Sequence, residues 1–587
     1  MKTRGIIKGI IANLLMVEAQ EAVGQNEICS IEHEDIRLMG EVIKIKGKTA
    51  YVQVFDSTRG LRVGTEVVFT GSMLELTLGP GMLSKNYDGL QNDLEEIEGL
   101  FLNRGARSRA FDPQHKWDFQ PLTEPGQTVE AGHWLGEVDE HGLAHKIMIP
   151  LNLEGEWIVK SIAEKGHYAA EETIAVLQRE EEEIEVNMIQ KWPVKVPMHC
   201  FRDKPRPSQL LETGVRTIDS LNPMLEGGVG FIPGPFGSGK TVLQHAISKQ
   251  AQADVVIVAA CGERANEVVE IFKEFPELDD PHSDKKLMDR TIIIANTSNM
   301  PVAAREASVY TAMTLGEYYR QMGLKVLLLA DSTSRWAQAL REMSNRLEDL
   351  PGPDAFPMDL SAIISNFYAR AGRVRLYNNE HGSITFIGTV SPAGGNLKEP
   401  VTESTKKATR CFYALAQKRA DSKRYPAIGP IMSYSKYLEY PEFQAYAKEH
   451  ISEVYIDAIQ EMKNLLQRGG ESKDQINILG DDGVPLEYHL HFWKSELIDF
   501  IILQQDAFDE IDAMTPMKRQ MEMIDMVLDI CRRDLPFEHF EEVSGFFKKL
   551  INDGKQLNYT AYHSDAYQER KAAIETAVQD QARKEMT

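Results

Sequence analysis

Gly234-Pro235-Phe236-Gly237-Ser238-Gly239-Lys240-Thr241 reads G-x-x-x-x-G-K-[ST], the spacing of a loop that wraps a phosphate chain. Its glycines let the backbone close on phosphate oxygens and turn N–H groups inward. Lys240 supplies a cation for the β and γ oxygens, and the Thr241 hydroxyl suits Mg²⁺. The pattern turns up by chance in roughly two of a hundred chains of this length. Its flanks must therefore support it.

They do. Gly230, Phe231 and Ile232 make a short apolar approach that Pro233 ends. After the loop, Val242, Ala246 and Ile247 fall on nearly one helical face. Strand, loop and helix thus come in the order that sets phosphates at a helix N-terminus, where the dipole and free N–H groups favour anions.

The chain around the loop has 587 residues, too many for one core, and three or four domains are expected. Hydrophobic content of 42% and charged content of 26% are those of a soluble globular protein. No uninterrupted apolar run approaches the ~20 residues needed to span a bilayer. Ile6 to Met16 is broken by Lys8 and Gly9 and lacks a small-residue cleavage site, so no signal peptide is expected. Cys29, Cys200, Cys261, Cys411 and Cys531 are scattered, without metal spacing, which fits a reducing cytoplasm. A net charge of −23 opposes an electrostatic grip on nucleic acid or on an anionic leaflet. Any membrane association would run through partners.

Residues 1 to about 75 read as short strands at roughly ten-residue spacing, with Ala50, Val52 and Val54 at period two; a small β-barrel or sandwich is expected. A Gly-Pro-Gly segment at Leu78 to Leu83 marks a linker. Residues 105 to 185 form a second β-rich block, with strands such as Lys146-Ile147-Met148-Ile149 between glycines and prolines. It reads as an independent insertion, with Glu180 to Glu183 as a solvated edge. From about 215 to 435, near-continuous apolar runs (Asp254 to Ala260, Thr291 to Ala295, Leu324 to Ala330, Ile384 to Val390) alternate with helical stretches, as in a parallel sheet covered on both faces. Beyond 437 the pattern is helical, at Phe443 to Arg468, Tyr488 to Gln505 and Met517 to Arg533.

Ligands of such sheets bind beyond the carboxyl ends of the strands. Asp331 follows one strand directly, where a phosphate-loop enzyme positions Mg²⁺. Glu263 and Arg264 follow another; a carboxylate there can polarise water, and an arginine can hold phosphate oxygens.

These residues, with CGERANE, Ala295 to Thr311, Leu327 to Glu342, YARAGRV, SPAGG, LGPGMLSKNYDGLQ, HKIMIP and QQDAFDEID, resemble the catalytic A subunit of V/A-type rotary ATPases over nearly the whole chain. The resemblance implies a multidomain α/β protein: an N-terminal β-barrel (1–75), a linker (76–104), an inserted β-rich domain (105–185), a central RecA-like phosphate-loop domain with a parallel sheet (186–436) and a C-terminal helical domain (437–587). It implies ATP hydrolysis, or synthesis in reverse, coupled to shaft rotation and transport of H⁺ or Na⁺. Gly234, Pro235, Phe236, Gly237, Ser238, Gly239, Lys240, Thr241 and Val242 would bind nucleotide. Glu263 would be the base, with Lys240 and Arg264 on the phosphates, and Thr241 and Asp331 would serve Mg²⁺. Tyr425, Gln504 and Phe508 would line the adenine pocket.

The resemblance also implies partners: non-catalytic B subunits alternating in an A3B3 ring, a central shaft and peripheral stalks. The complex would sit on the cytoplasmic face of the membrane, held there by other subunits. An arginine finger would come from the B subunit; Arg373, in YARAGRV, resembles that motif but is read as structural or interfacial. Departures from the family pattern fall at Ala265, Leu221-Asn222, Pro351 to Leu360 and Tyr425, and none removes a catalytic group. Two alternatives are a hexameric motor for RNA or protein export, opposed by the acidic charge and the insertion, and a non-catalytic ring subunit, opposed by Glu263.

Overall fold

The computed structural model describes residues 3–33, 36–97, 105–235, 237–298 and 300–584. Two compact units emerge, each assembled from distant stretches of chain. Met1–Pro205, Ala253–Val390 and Lys398–Ala408 form the first; Arg206–Gln252, Ser391–Leu397 and Thr409–Thr587 form the second. The stretch read as one nucleotide-binding domain contributes to both.

In the first unit, Arg4–Ile11, Leu14–Ala19, Glu27–His33, Ile36–Lys46, Thr49–Val54 and Glu66–Met73 close into a six-stranded barrel. Closure leaves no unpaired edge. Inward positions at period two supply its core, with Ile7, Leu15, Val17, Ile31, Leu38, Val42, Val52 and Phe69 all buried. The insertion is two four-stranded sheets around Leu135, Ile149, Trp157, Val159 and Leu177. Glu182–Val186 is an edge strand of one of them, so the acidic run is the solvated edge expected from its charge.

The expected linker and the expected independence of the insertion are both modified. Glu75–Leu78 pairs antiparallel with Gln190–Pro193, and Asn86–Tyr87 adds a parallel strand beside Thr291–Thr297. The linker is thus part of two sheets. The insertion is bolted on by a buried network: His145 Nδ1 lies 2.5 Å from Glu140 Oε2, and His145 Nε2 lies 3.0 Å from the Tyr318 hydroxyl on the Val302–Arg320 helix. The other oxygen of Glu140 accepts from Gly81 N and Leu83 N at 2.7 and 2.9 Å. On the barrel side, Lys195 bridges Glu41 at 2.9 Å and Glu306 at 3.3 Å. Burial pushes the Glu41 carboxyl up to about 7.

The main sheet of this unit runs in the order His381–Val390, Lys325–Asp331, Val255–Glu263, Thr291–Thr297, Asn86–Tyr87, all parallel. Its strands are buried almost without interruption, which is why they read as apolar runs rather than alternating ones. Residue 263, expected just past a strand, is that strand's last residue.

In the second unit Val229–Pro233 pairs with Cys411–Phe412 and leads into the Lys240–Gln250 helix. Helices Pro441–His450, Tyr455–Leu479, Leu486–Ile498, Met517–Arg532, Phe540–Asn558 and Asp565–Ala582 follow. The single helix expected from Phe443 to Arg468 is two. The chain breaks at Ile451 to Val454, where Ser452 Oγ accepts the Val454 N–H in place of a helical carbonyl. A π-helical turn at Asp499–Leu503 ends the Leu486 helix. Among the described residues no helix is long and apolar enough to cross a membrane.

Candidate active site

The phosphate loop keeps its shape through backbone that only glycine adopts cheaply. Gly237 and Gly239 have φ of +76° and +88°. At Gly234 a Cβ would stand 2.7 Å from Ser238 Oγ and 2.8 Å from Leu415 Cβ. Ser238 is buried and its hydroxyl donates to Pro235 O at 2.7 Å. Lys240 opens the helix and donates to Gly234 O and Pro235 O at 2.9 and 2.8 Å, holding its ammonium over the loop. Thr241 is half-buried in the same first turn. Phe236 lies outside the described residues.

Beside the loop opens a cavity of about 490 Å³. Gly237, Gly239 and Val242 line it, and so do Tyr425, Gln504 and Phe508. All six are among the residues that the family resemblance assigns to nucleotide binding. Val242 is 45% exposed and lines this cavity together with Leu243 and Ala246, while Ile247 is fully buried. Tyr425 is 44% exposed and Phe508 86% exposed, so neither is an ordinary core side chain. The Phe508 turn is held by its own acids: Asp506 Oδ1 accepts Phe508 N at 2.9 Å, and Asp512 Oδ2 accepts Asp506 N at 2.7 Å.

Sequence reasoning missed what fixes this turn. Arg216, 1% exposed, donates to Asp512 Oδ1 at 2.6 Å, Thr515 Oγ1 at 2.9 Å, Ile502 O at 3.0 Å and the Gln504 carbonyl. Gln505 completes the clasp: its Oε1 accepts Arg216 N, and its Nε2 donates to Gly214 O and Asp512 O. No sequence motif marks Arg216, because its partners lie almost 300 residues away.

Glu263, Arg264 and Asp331 belong to the first unit. Glu263 ends its strand after Gly262, whose φ is +72°. A Cβ at Gly262 would come within 3.0 Å of both Arg305 Cδ and Arg335 Cβ, so these two arginines bracket the turn. The Glu263 carboxyl is pushed up to about 8. Burial is the largest cause; the Asp331 charge and a hydrogen bond with Glu267 add to it, and Arg335 opposes it. Asp331 Oδ1 accepts from Thr389 Oγ1 at 2.5 Å. Arg264 is exposed and heads the Ala265–Glu274 helix. The structure thus groups Glu263 with Asp331, and adds Glu267, Arg305 and Arg335. Glu267 and Arg335 each fall in the first turn of the helix that follows the strand ending at Glu263 or Asp331, so the strand-to-helix turn brings them to the carboxylate.

Of the departures, Ala265 is an exposed helix-start residue, a good helix former in place. Leu221 and Asn222 are both fully buried.

Four family models match consecutive stretches in the order the chain builds its parts. They are the ATP synthase alpha/beta family beta-barrel domain (7–71), the barrel-sandwich domain (108–195), the nucleotide-binding domain (214–435) and the C-terminal domain of V and A type ATP synthase (444–542). The class is therefore that of ATP synthase alpha/beta subunits. Curated relatives narrow it. The V-type ATP synthase alpha chain of Treponema denticola is 45% identical over 99% of this chain and 97% of its own length. Alpha chain 1 of Treponema pallidum is 44% identical over 99% and 98%, and the alpha chain of Protochlamydia amoebophila is 43% identical over 99% and 98%. At such identity and coverage the chain belongs to the V-type ATP synthase alpha chain family.

Proposed function

We propose that this chain is the catalytic subunit of a V-type ATP synthase, hydrolysing ATP to ADP and phosphate, or making ATP in reverse, with the reaction coupled to shaft rotation and H⁺ or Na⁺ transport. The observation that carries this reading is the Glu263 carboxyl, half-buried at the end of a parallel strand, with Asp331 and Arg335 acting on it. A subunit that only held nucleotide would need the phosphate loop but not a base of this kind.

The roles follow from the chemistry of each group. Between Gly234 and Gly239 the N–H groups of the loop, Pro235 excepted, bind the phosphates, Lys240 places its ammonium on the β and γ oxygens, and Arg264 neutralises phosphate charge. Thr241 and Asp331 offer a hydroxyl and a carboxylate, the hard oxygen donors that suit Mg²⁺ carried on phosphates. Bound there, Mg²⁺ would neutralise developing charge on the phosphate oxygens. Glu263 takes a proton from the attacking water. Tyr425 and Phe508 stack on the two faces of the base. Replacing either with Ala is expected to weaken Mg·ADP binding about 10- to 100-fold, as stacking losses do. Isothermal titration reads this; unchanged affinity in both variants would remove the adenine assignment.

The partners follow the same reading: non-catalytic B subunits alternating with this one in an A3B3 ring, a central shaft, and stalks that hold the complex at the cytoplasmic face of the membrane. A finger arginine from the B subunit completes the transition-state charge, a contribution of about 10³- to 10⁵-fold. The chain alone should therefore turn over ATP at least about 10³-fold more slowly than the assembled ring. Steady-state phosphate release, measured before and after adding the partner, tests this; equal rates would contradict it.

A further inference from the structure

One wall of the cavity beside the phosphate loop comes from the end of the Phe540–Asn558 helix. Lys555, Asn558 and Tyr559 stand at i, i+3 and i+4, on one helical face, and all three line the cavity. Lys555 holds its ammonium 4.0 Å from the centre of the Phe500 ring, another lining residue.

Asn558 is 3% exposed. Its amide has one orientation, because Nδ2 donates to Ile501 O at 2.9 Å. The remaining atom, Oδ1, is therefore an acceptor; it is buried and has no hydrogen-bond partner among the described residues. Gln504 lines the same cavity and carries a buried Nε2 that also has no hydrogen-bond partner among the described residues. Buried polar atoms are almost always paired, so an unpaired one on a residue lining a cavity calls for a partner supplied from the cavity, by water or by a ligand.

Stacking between Tyr425 and Phe508 tolerates any base, since every base has a π-face. Selection must come from the edge. Adenine offers an amino donor at C6 flanked by acceptor ring nitrogens, whereas a 6-oxo purine offers an acceptor at C6. An orphan acceptor and an orphan donor on residues lining one cavity match the first edge and oppose the second.

We propose that Asn558 reads the purine 6-position: its Oδ1 accepts from the adenine amino group, while Gln504 Nε2 donates to a ring nitrogen. A 6-oxo nucleotide is rejected because two acceptors would face each other without a proton between them. This rests on the nucleotide-binding reading above and adds a specificity-determining residue to it.

The test is equilibrium titration of the full chain with Mg²⁺ and three diphosphates: ADP, IDP, and purine riboside diphosphate, which carries neither amino nor oxo group. ADP is expected to bind about 10- to 100-fold tighter than IDP, with the unsubstituted purine between them. In Asn558→Leu the ADP:IDP ratio should collapse to within about threefold, mainly through weaker ADP binding. The analogue series on the unmodified chain needs no variant, so a poorly folding Asn558→Leu does not decide the outcome. Equal binding of ADP and IDP overturns the edge reading and leaves the nucleotide site standing, as does a variant that keeps the full ratio. Failure of all three diphosphates to bind overturns both.

Discussion

Glu263→Gln lowers ATP hydrolysis by the assembled ring about 10²- to 10⁴-fold, the loss expected when a positioned general base is removed. The substitution keeps the side chain's size and its capacity to hydrogen-bond Glu267, so Mg·ADP affinity stays within a few-fold. The pH dependence carries a second signature. Burial, Asp331 and Glu267 raise the Glu263 carboxyl from its ordinary 4.5 to about 8, so at pH 7 the nucleotide-free protein holds mostly the neutral acid. Only the ionised form can take a proton from water. Because kcat/KM reports groups of the free enzyme, it should rise about tenfold per pH unit below 8 and level off above. In Glu263→Gln that rising limb should disappear. Initial rates of phosphate release between pH 6 and 9 measure both effects. Undiminished turnover in the variant would remove Glu263 from the chemistry, and a rising limb that survives would assign it to another group.

Arg216→Leu should destabilise the second unit by about 3–5 kcal/mol, because it leaves a buried carboxylate without its cation. Asp512, 3% exposed, would lose its ion pair at 2.6 Å, and the carbonyls of Ile502 and Gln504 would lose their donors. The same residues hold the turn that carries Phe508, so ADP affinity should fall with stability. Arg216→Lys should rescue little: one ammonium cannot replace a planar fork bonded to four partners. In Arg216→Leu/Asp512→Leu the unpaired charge is gone, and part of the stability should return. Urea unfolding of the isolated chain reads the three stability comparisons, and equilibrium titration reads the loss of ADP affinity. A loss below about 0.5 kcal/mol in Arg216→Leu would show that water or a neighbour replaces the arginine.

The site was legible in sequence to the extent that it is local. The phosphate loop spans eight residues, and glycine, lysine and threonine each hold their place for a reason that acts within that span. Glu263 and Asp331 were found because strands buried on both faces leave long apolar runs, and chemistry gathers where such runs end. Tyr425, Gln504 and Phe508 came from family resemblance, since nothing in their spacing points to a purine.

What stayed hidden depends on pairs far apart in the chain. Asn86–Tyr87 is too short to show any period, and it becomes a strand only because Thr291–Thr297 offers an edge. Glu140 and His145 read as polar residues of a hairpin until Tyr318 buries them. Arg216 and Asn558 look like unremarked helix residues; their meaning comes from Asp512, Ile501 and the cavity between them. The sequence by itself determined the phosphate loop, the strand-end carboxylates and the β, α/β and helical order of the parts, because backbone sterics and burial period act over a few residues. Tertiary structure alone decided which buried polar atoms are paired and which are left waiting, since pairing depends on groups that only folding brings within 3 Å.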